Sequence, residues 1–164
     1  YGDWNNAKFI DINYNKLKVV YHKTFEDFFS NNFKSSKSFN YHFEIVNYTA
    51  IKTGQHMDFH THPSYDFSCT HYINFNPKKH SSIKFGNFST MGLYGKELMK
   101  ETSNISDHHD ISNSYLLGGW HYPLEEDDMV IFPASLHHEV PKQEETDELR
   151  ICIVTNIKLY EKKL

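Results

Sequence analysis

The chain has 164 residues, 38% of them hydrophobic and 23% charged, with a formal net charge of −4. That length suffices for one domain, 1–164, with a core of its own, and an acidic balance without a basic stripe argues against nucleic acid as a partner. No run is apolar for long enough to span a bilayer, Tyr1 to Ala7 lacks a signal-peptide pattern, and Cys69 and Cys152 sit in apolar runs without metal spacing, so a reducing cytoplasm is the expected setting.

Thirteen Phe and eleven Tyr against two Trp favour strands. In chain order, 9–14 and 17–22 read as short strands, and 25–29 as a helix with Thr24 as N-cap and Asp27 in its first turn. A polar loop at 31–38 follows. Strands are then expected at 41–51, 57–62, 67–75, 82–88, 115–117, 129–132 and 149–158, separated by Gly, Pro and Asn turns. Segment 91–110 is the least regular and reads as a short helix at 96–101 or a flap over a site. Many short strands with such turns define a mainly β chain, a sandwich or jelly roll with one or two short N-terminal helices.

Twelve histidines are several-fold more than ordinary usage, and they cluster. Alternate residues of a strand share a face, so His56, Asp58, His60 and His62 can point the same way. An exposed polar strand edge would explain any one of them. Four candidate ligands in seven residues, closed by Pro63, point to a metal. A second cluster runs from the acidic turn at Asp127 through Phe132-Pro133 to His137, His138 and Val140. Twelve residues beyond His138, Arg150 opens an apolar run. A strand-end arginine whose head reaches water would account for it. Facing the core instead, it needs an anion, because a buried unpaired guanidinium is costly and a carboxylate answers it with a bidentate pair.

In this order the clusters resemble the iron and 2-oxoglutarate-dependent oxygenases of the prolyl 4-hydroxylase-like branch, and most closely small phage-encoded oxygenases. The residues that carry the likeness are Gly54 six before His60, the His60-Thr-His62-Pro63 stretch, Tyr72-Ile-Asn74, Phe132-Pro133, His138-Glu-Val140 and Arg150. The likeness spans about 41–157 and implies a double-stranded β-helix whose oxygenase core covers approximately 41–158. It further implies Fe(II) on His60, His62 and His138, with 2-oxoglutarate as cosubstrate on Arg150, Tyr72 and Ser68. Ascorbate is the implied reductant, and the implied reaction is hydroxylation of a substrate C–H bond. Prolyl 4-hydroxylation of a peptide is the best substrate guess, in the host cytoplasm if the chain is phage-encoded.

One departure stands. The usual triad is two histidines and a carboxylate, written H-x-D on the first strand, whereas the matching positions here are His60 and His62. A literal H-x-D occurs at His56 and Asp58, and Asp66 is a further carboxylate candidate, so the register of the first ligands stays open. His137 is the neighbour that competes with His138. Two other classes share parts of the pattern. A zinc isopeptidase of the JAMM type would use His60, His62 and Ser68 but needs an Asp where His71 stands. A cupin-like metal binder, or a three-histidine dioxygenase, would use the histidines without 2-oxoglutarate.

Overall fold

The computed structural model describes residues 13–33, 39–86 and 119–161. The expected strand at 115–117, the 91–110 segment and most of the expected strand at 9–14 lie outside them. One helix, α1 (Tyr14–Asn32), precedes eight strands: β1 (Phe39–Ile51), β2 (Met57–His60), β3 (Phe67–Asn74), β4 (Lys84–Gly86), β5 (Gly119–His121), β6 (Met129–Pro133), β7 (His138–Val140) and β8 (Arg150–Glu161). They form two four-stranded sheets, β1-β8-β3-β6 and β2-β7-β4-β5. Every pairing within them is antiparallel. Apart from the β4–β5 pair, consecutive strands alternate between sheets, as in a jelly roll.

The helix corrects the expectation for the N-terminal part. Residues 17–22 are helical rather than a strand, and the helix is one continuous element far longer than 25–29. Tyr21, Phe25 and Phe29 are buried and Leu17 packs beside them. A spacing of four puts all of them on one stripe. Val19 and Val20, a β-branched pair within 17–22, are 73% and 59% exposed. The cap is Asn13, whose Oδ1 accepts from Lys16 N–H at 3.2 Å. Thr24 sits mid-helix and donates its hydroxyl back to Val20 O at 3.1 Å, a local bond open to threonine in a helix interior.

Strand β3 decides what faces where. Cys69 packs toward the helix with Ile153 and Ile157 of β8, and with Met129 and Ile131 of β6. On the other face Tyr72 joins Phe75, Ile83, Phe85, Leu124, Phe132 and Cys152 between the two sheets. Period-two alternation therefore sends Ser68, Thr70 and Tyr72 into the jelly-roll interior. It sends Arg150, Cys152, Val154 and Asn156 of β8 the same way.

Truncating the fully buried Phe25 to Ala should cost about 3–5 kcal/mol in urea unfolding. Val19→Ala, on the solvent side, should stay within about 0.5 kcal/mol; equal losses would place the stripe elsewhere.

Candidate metal and cosubstrate site

The pairing of β2 with β7 sets His60 directly opposite His138. His62 lies just past the end of β2, where its backbone N–H bonds Ala134 O at 2.9 Å and ties the chain to the end of β6. The three rings converge, with centroids 4.3 Å apart for His60–His138, 5.1 Å for His62–His138 and 5.2 Å for His60–His62. Their candidate ligand nitrogens all lie within 4.8 Å of one another, and His62 Nε2 is 3.2 Å from His138 Nε2. Two imidazoles on adjacent sites of one metal, each about 2.1 Å from it, hold their nitrogens about 3 Å apart, so the observed spacing needs little adjustment.

The tautomers favour the same use. His60 Nδ1 lies 2.7 Å from Asp58 O and His138 Nδ1 lies 2.8 Å from Leu136 O. A carbonyl only accepts, so each Nδ1 carries the proton and each Nε2 presents a lone pair. Burial pushes the His138 pKa down to about 4, and the neighbouring His60, His62 and His137 add to this against the Leu136 carbonyl. Burial and then His60 lower His62 as well. These two rings are therefore neutral at pH 7 and ready to bind a cation. Phe132 and Phe85 flank His138 at 4.8 and 6.3 Å between ring centroids.

The competing candidates point elsewhere. His56 Nε2 pairs with Asp58 Oδ1 at 3.1 Å, both side chains well exposed. Asp66 Oδ2 accepts from Leu159 N–H at 2.8 Å and faces Lys158 Nζ at 3.3 Å. His137 is exposed, and its carbonyl takes Gly86 N–H at 2.8 Å. Gly54, the landmark ahead of His60, has φ +80°, a conformation suited to glycine, and its N–H bonds Gln143 O at 3.0 Å.

Arg150 is 1% exposed. Its Nε donates to Ser81 O at 2.9 Å, and its Cζ lies 5.0 Å from the centroid of the Tyr72 ring. Its Nη2 is buried with no hydrogen-bond partner among the described residues. Tyr72 is fully buried and its oxygen accepts from Ile83 N–H at 3.0 Å. Burial raises its pKa, against the nearby Arg150 charge. Ser68 is placed differently: its hydroxyl donates to Asn156 Oδ1 at 3.1 Å. Sequence reasoning gave Asn156 no role, although its parity with Arg150 on β8 carried the signal. A cavity of about 380 Å³ lies beside Ser81, lined by Phe75, His80, Lys84 and Leu124 among others, and none of the three histidines or Arg150 borders it.

A jelly roll that brings together three converging imidazoles and, elsewhere in its interior, a buried guanidinium with one unpartnered nitrogen has the makings of a metal- and oxyacid-using jelly-roll oxygenase. Residues 47–156 match the family described as "Putative 2OG-Fe(II) oxygenase", and the chain belongs to it. The family implies Fe(II) and 2-oxoglutarate; the three histidines fit the metal, and the unpartnered Nη2 of Arg150 suits a carboxylate. The fold is similar to a crystal structure of an oxidoreductase of the 2OG-Fe(II) oxygenase family from Burkholderia pseudomallei, with a TM-score of 0.55 at 10% identity. The match covers 87% of this chain but 55% of that one, so the chain spans about half the length of that protein. No curated protein matches the sequence. Among the described residues no helix is long and apolar enough to cross a membrane.

Mn(II) or Ni(II) added to metal-free protein should raise its melting temperature, because a ligand of the native state stabilises it. The rise should vanish in His60→Ala and His138→Ala and persist in Asp58→Ala. A rise lost in Asp58→Ala and kept in His60→Ala would move the site four residues earlier.

Proposed function

We propose that the protein is an Fe(II)- and 2-oxoglutarate-dependent dioxygenase that holds iron on His60, His62 and His138 and 2-oxoglutarate on Arg150, and that it hydroxylates proline in a peptide. The observation that carries the reading is the unpartnered Nη2 of Arg150 at 1% exposure. A buried donor of a full charge without an acceptor costs several kcal/mol, and a dicarboxylate supplies the missing acceptor. Tyr72, its ring centroid 5.0 Å from the guanidinium carbon, stands beside that group.

Iron, O₂ and 2-oxoglutarate together supply oxidative decarboxylation to succinate and CO₂, coupled to hydroxylation of a C–H bond. The chain's own part is orientation and dryness. The Asp58 and Leu136 carbonyls fix the His60 and His138 rings. Phe85 and Phe132 keep water from the back of His138, and Arg150 aligns the cosubstrate. Ascorbate fits as a reductant that returns iron to the ferrous state. Support for proline comes from the sequence likeness to the prolyl 4-hydroxylase-like branch, an analogy of family rather than of site. A cytoplasmic peptide is the matching partner.

The other classes fit less well. A cupin-like binder, or a dioxygenase without 2-oxoglutarate, leaves Arg150 buried for no purpose. A JAMM-type isopeptidase needs the residue at 71 on the metal side, whereas His71 faces the helix, with Nδ1 2.7 Å from Tyr21 Oη.

Arg150→Ala should weaken 2-oxoglutarate binding to the Mn(II)-loaded protein by more than about tenfold, as loss of a charge-assisted pair requires. Metal binding should be retained, both read by calorimetry. Succinate release stimulated by a proline-containing peptide and not by its alanine counterpart would support the substrate; stimulation by both would remove proline from the reading.

A further inference from the structure

The strand that carries Tyr72 presents a second group to the same interior. On β3 the inward residues are Ser68, Thr70 and Tyr72, one pleat apart. The register with β6 sets Ser68 opposite Phe132 and Thr70 opposite Val130. Phe132 abuts His138 at 4.8 Å, and at the other end Tyr72 lies under the Arg150 guanidinium. Thr70 is therefore the one inward residue of β3 between the row that touches the histidines and the row that touches Arg150. It is 7% exposed, and it forms no side-chain hydrogen bond among the described residues. Its flanking partners on both sides, Val130 of β6 and Val154 of β8, offer no hydrogen-bonding group. A threonine hydroxyl among valines keeps its hydrogen for an acceptor that enters the interior.

Ser68 is the contrasting case. It is fully buried, and its hydrogen is already given to Asn156 Oδ1. A hydroxyl has a single hydrogen. Ser68 therefore has no donor to spare for a carboxylate unless Asn156 Oδ1 is abandoned, whereas Thr70 has.

We infer that Thr70, rather than Ser68, is the hydroxyl that donates to a carboxylate oxygen of bound 2-oxoglutarate, positioning it between Arg150 and the three histidines. The inference rests on the oxygenase reading above. It makes Thr70 a cosubstrate-positioning residue and leaves Ser68 with Asn156 as an internally satisfied pair of the sheet.

The test is calorimetric titration of N-oxalylglycine, which keeps both carboxylates of 2-oxoglutarate, into Mn(II)-loaded protein. Thr70→Val keeps the shape and removes the hydroxyl, and it should weaken binding about tenfold or more, the loss of one hydrogen bond to a charged acceptor. Thr70→Ser should recover affinity to within about threefold of wild type, a rescue that a packing role for the threonine methyl would not produce. Ser68→Ala should also stay within about threefold. The melting temperature of unliganded Thr70→Val should stay close to that of wild type, because the substitution keeps the shape of the side chain. Wild-type affinity in Thr70→Val, or a loss in Ser68→Ala that matches it, would overturn the inference while leaving the oxygenase reading intact. Absence of N-oxalylglycine binding to the wild-type protein would overturn both.

Discussion

A guanidinium cannot shed its charge, and Arg150 holds one where water barely reaches. Much of the interior can be understood as an answer to that fact. The Ser81 carbonyl takes Nε and the Tyr72 ring lies beneath the charge, so one side of the group is satisfied by backbone and one by an aromatic face. Nη2 remains. A fold selected only for stability would replace the arginine with an apolar residue at little cost or with a gain. Keeping it, with a donor left unanswered, is intelligible where an anion completes the set.

The histidines pose the complementary problem. Three imidazoles bring no negative charge, and among the described residues the nearby carboxylates of Asp58 and Asp66 are engaged elsewhere. A divalent ion on this set keeps its whole charge, to be balanced by what binds beside it. A dianionic keto acid would offset that charge, and under the proposed reading its far carboxylate would meet the second buried cation at Arg150. The cosubstrate would thus offset both charges at once. This couples the two halves of the site electrostatically, even though they stand on different sheets.

How far the sequence discloses this depends on the range of the interactions. The long strands were legible because alternation is local: the even spacing in 67–75 and 149–158 survives in β3 and β8 with shifts of a residue or so at one end and up to three at the other. The helix was not, because Val19 and Val20 speak for a strand while the stripe Leu17, Tyr21, Phe25, Phe29 becomes visible only at period four. β5, three residues with a glycine first, carries too little pattern to be read. In the site, the spacing from Gly54 pointed to His60 and His62. What spacing could not show is that Asp58 turns its carboxylate to His56, that Leu136 orients His138, or that Ser68 is taken by Asn156. Each is a contact fixed by tertiary register or by a turn, and no residue type announces it.

The placement of the helix follows from the same strand that builds the site. His71, between the inward residues Thr70 and Tyr72, turns outward and bridges two elements. Its Nδ1 is 2.7 Å from the buried Tyr21 hydroxyl of α1, and its Nε2 is 2.9 Å from Asp127 Oδ1. A neutral ring protonated on Nε2 satisfies both, accepting from the tyrosine and donating to the carboxylate. Asp127 in turn gives its N–H to Tyr72 O at 2.7 Å, while Tyr72 N–H bonds Asp128 O at 2.9 Å. The aspartate holds φ +71°, which few residues other than glycine, asparagine and aspartate adopt readily. The turn is thus fixed by backbone bonds to Tyr72 on one side and by the histidine bridge on the other, so its strained residue is over-determined. Docking α1 therefore does more than cover the outer face of the sheet. It braces the backbone of the residue whose ring supports Arg150, so that the outer face of β3 holds still the inner face on which the cosubstrate would be bound.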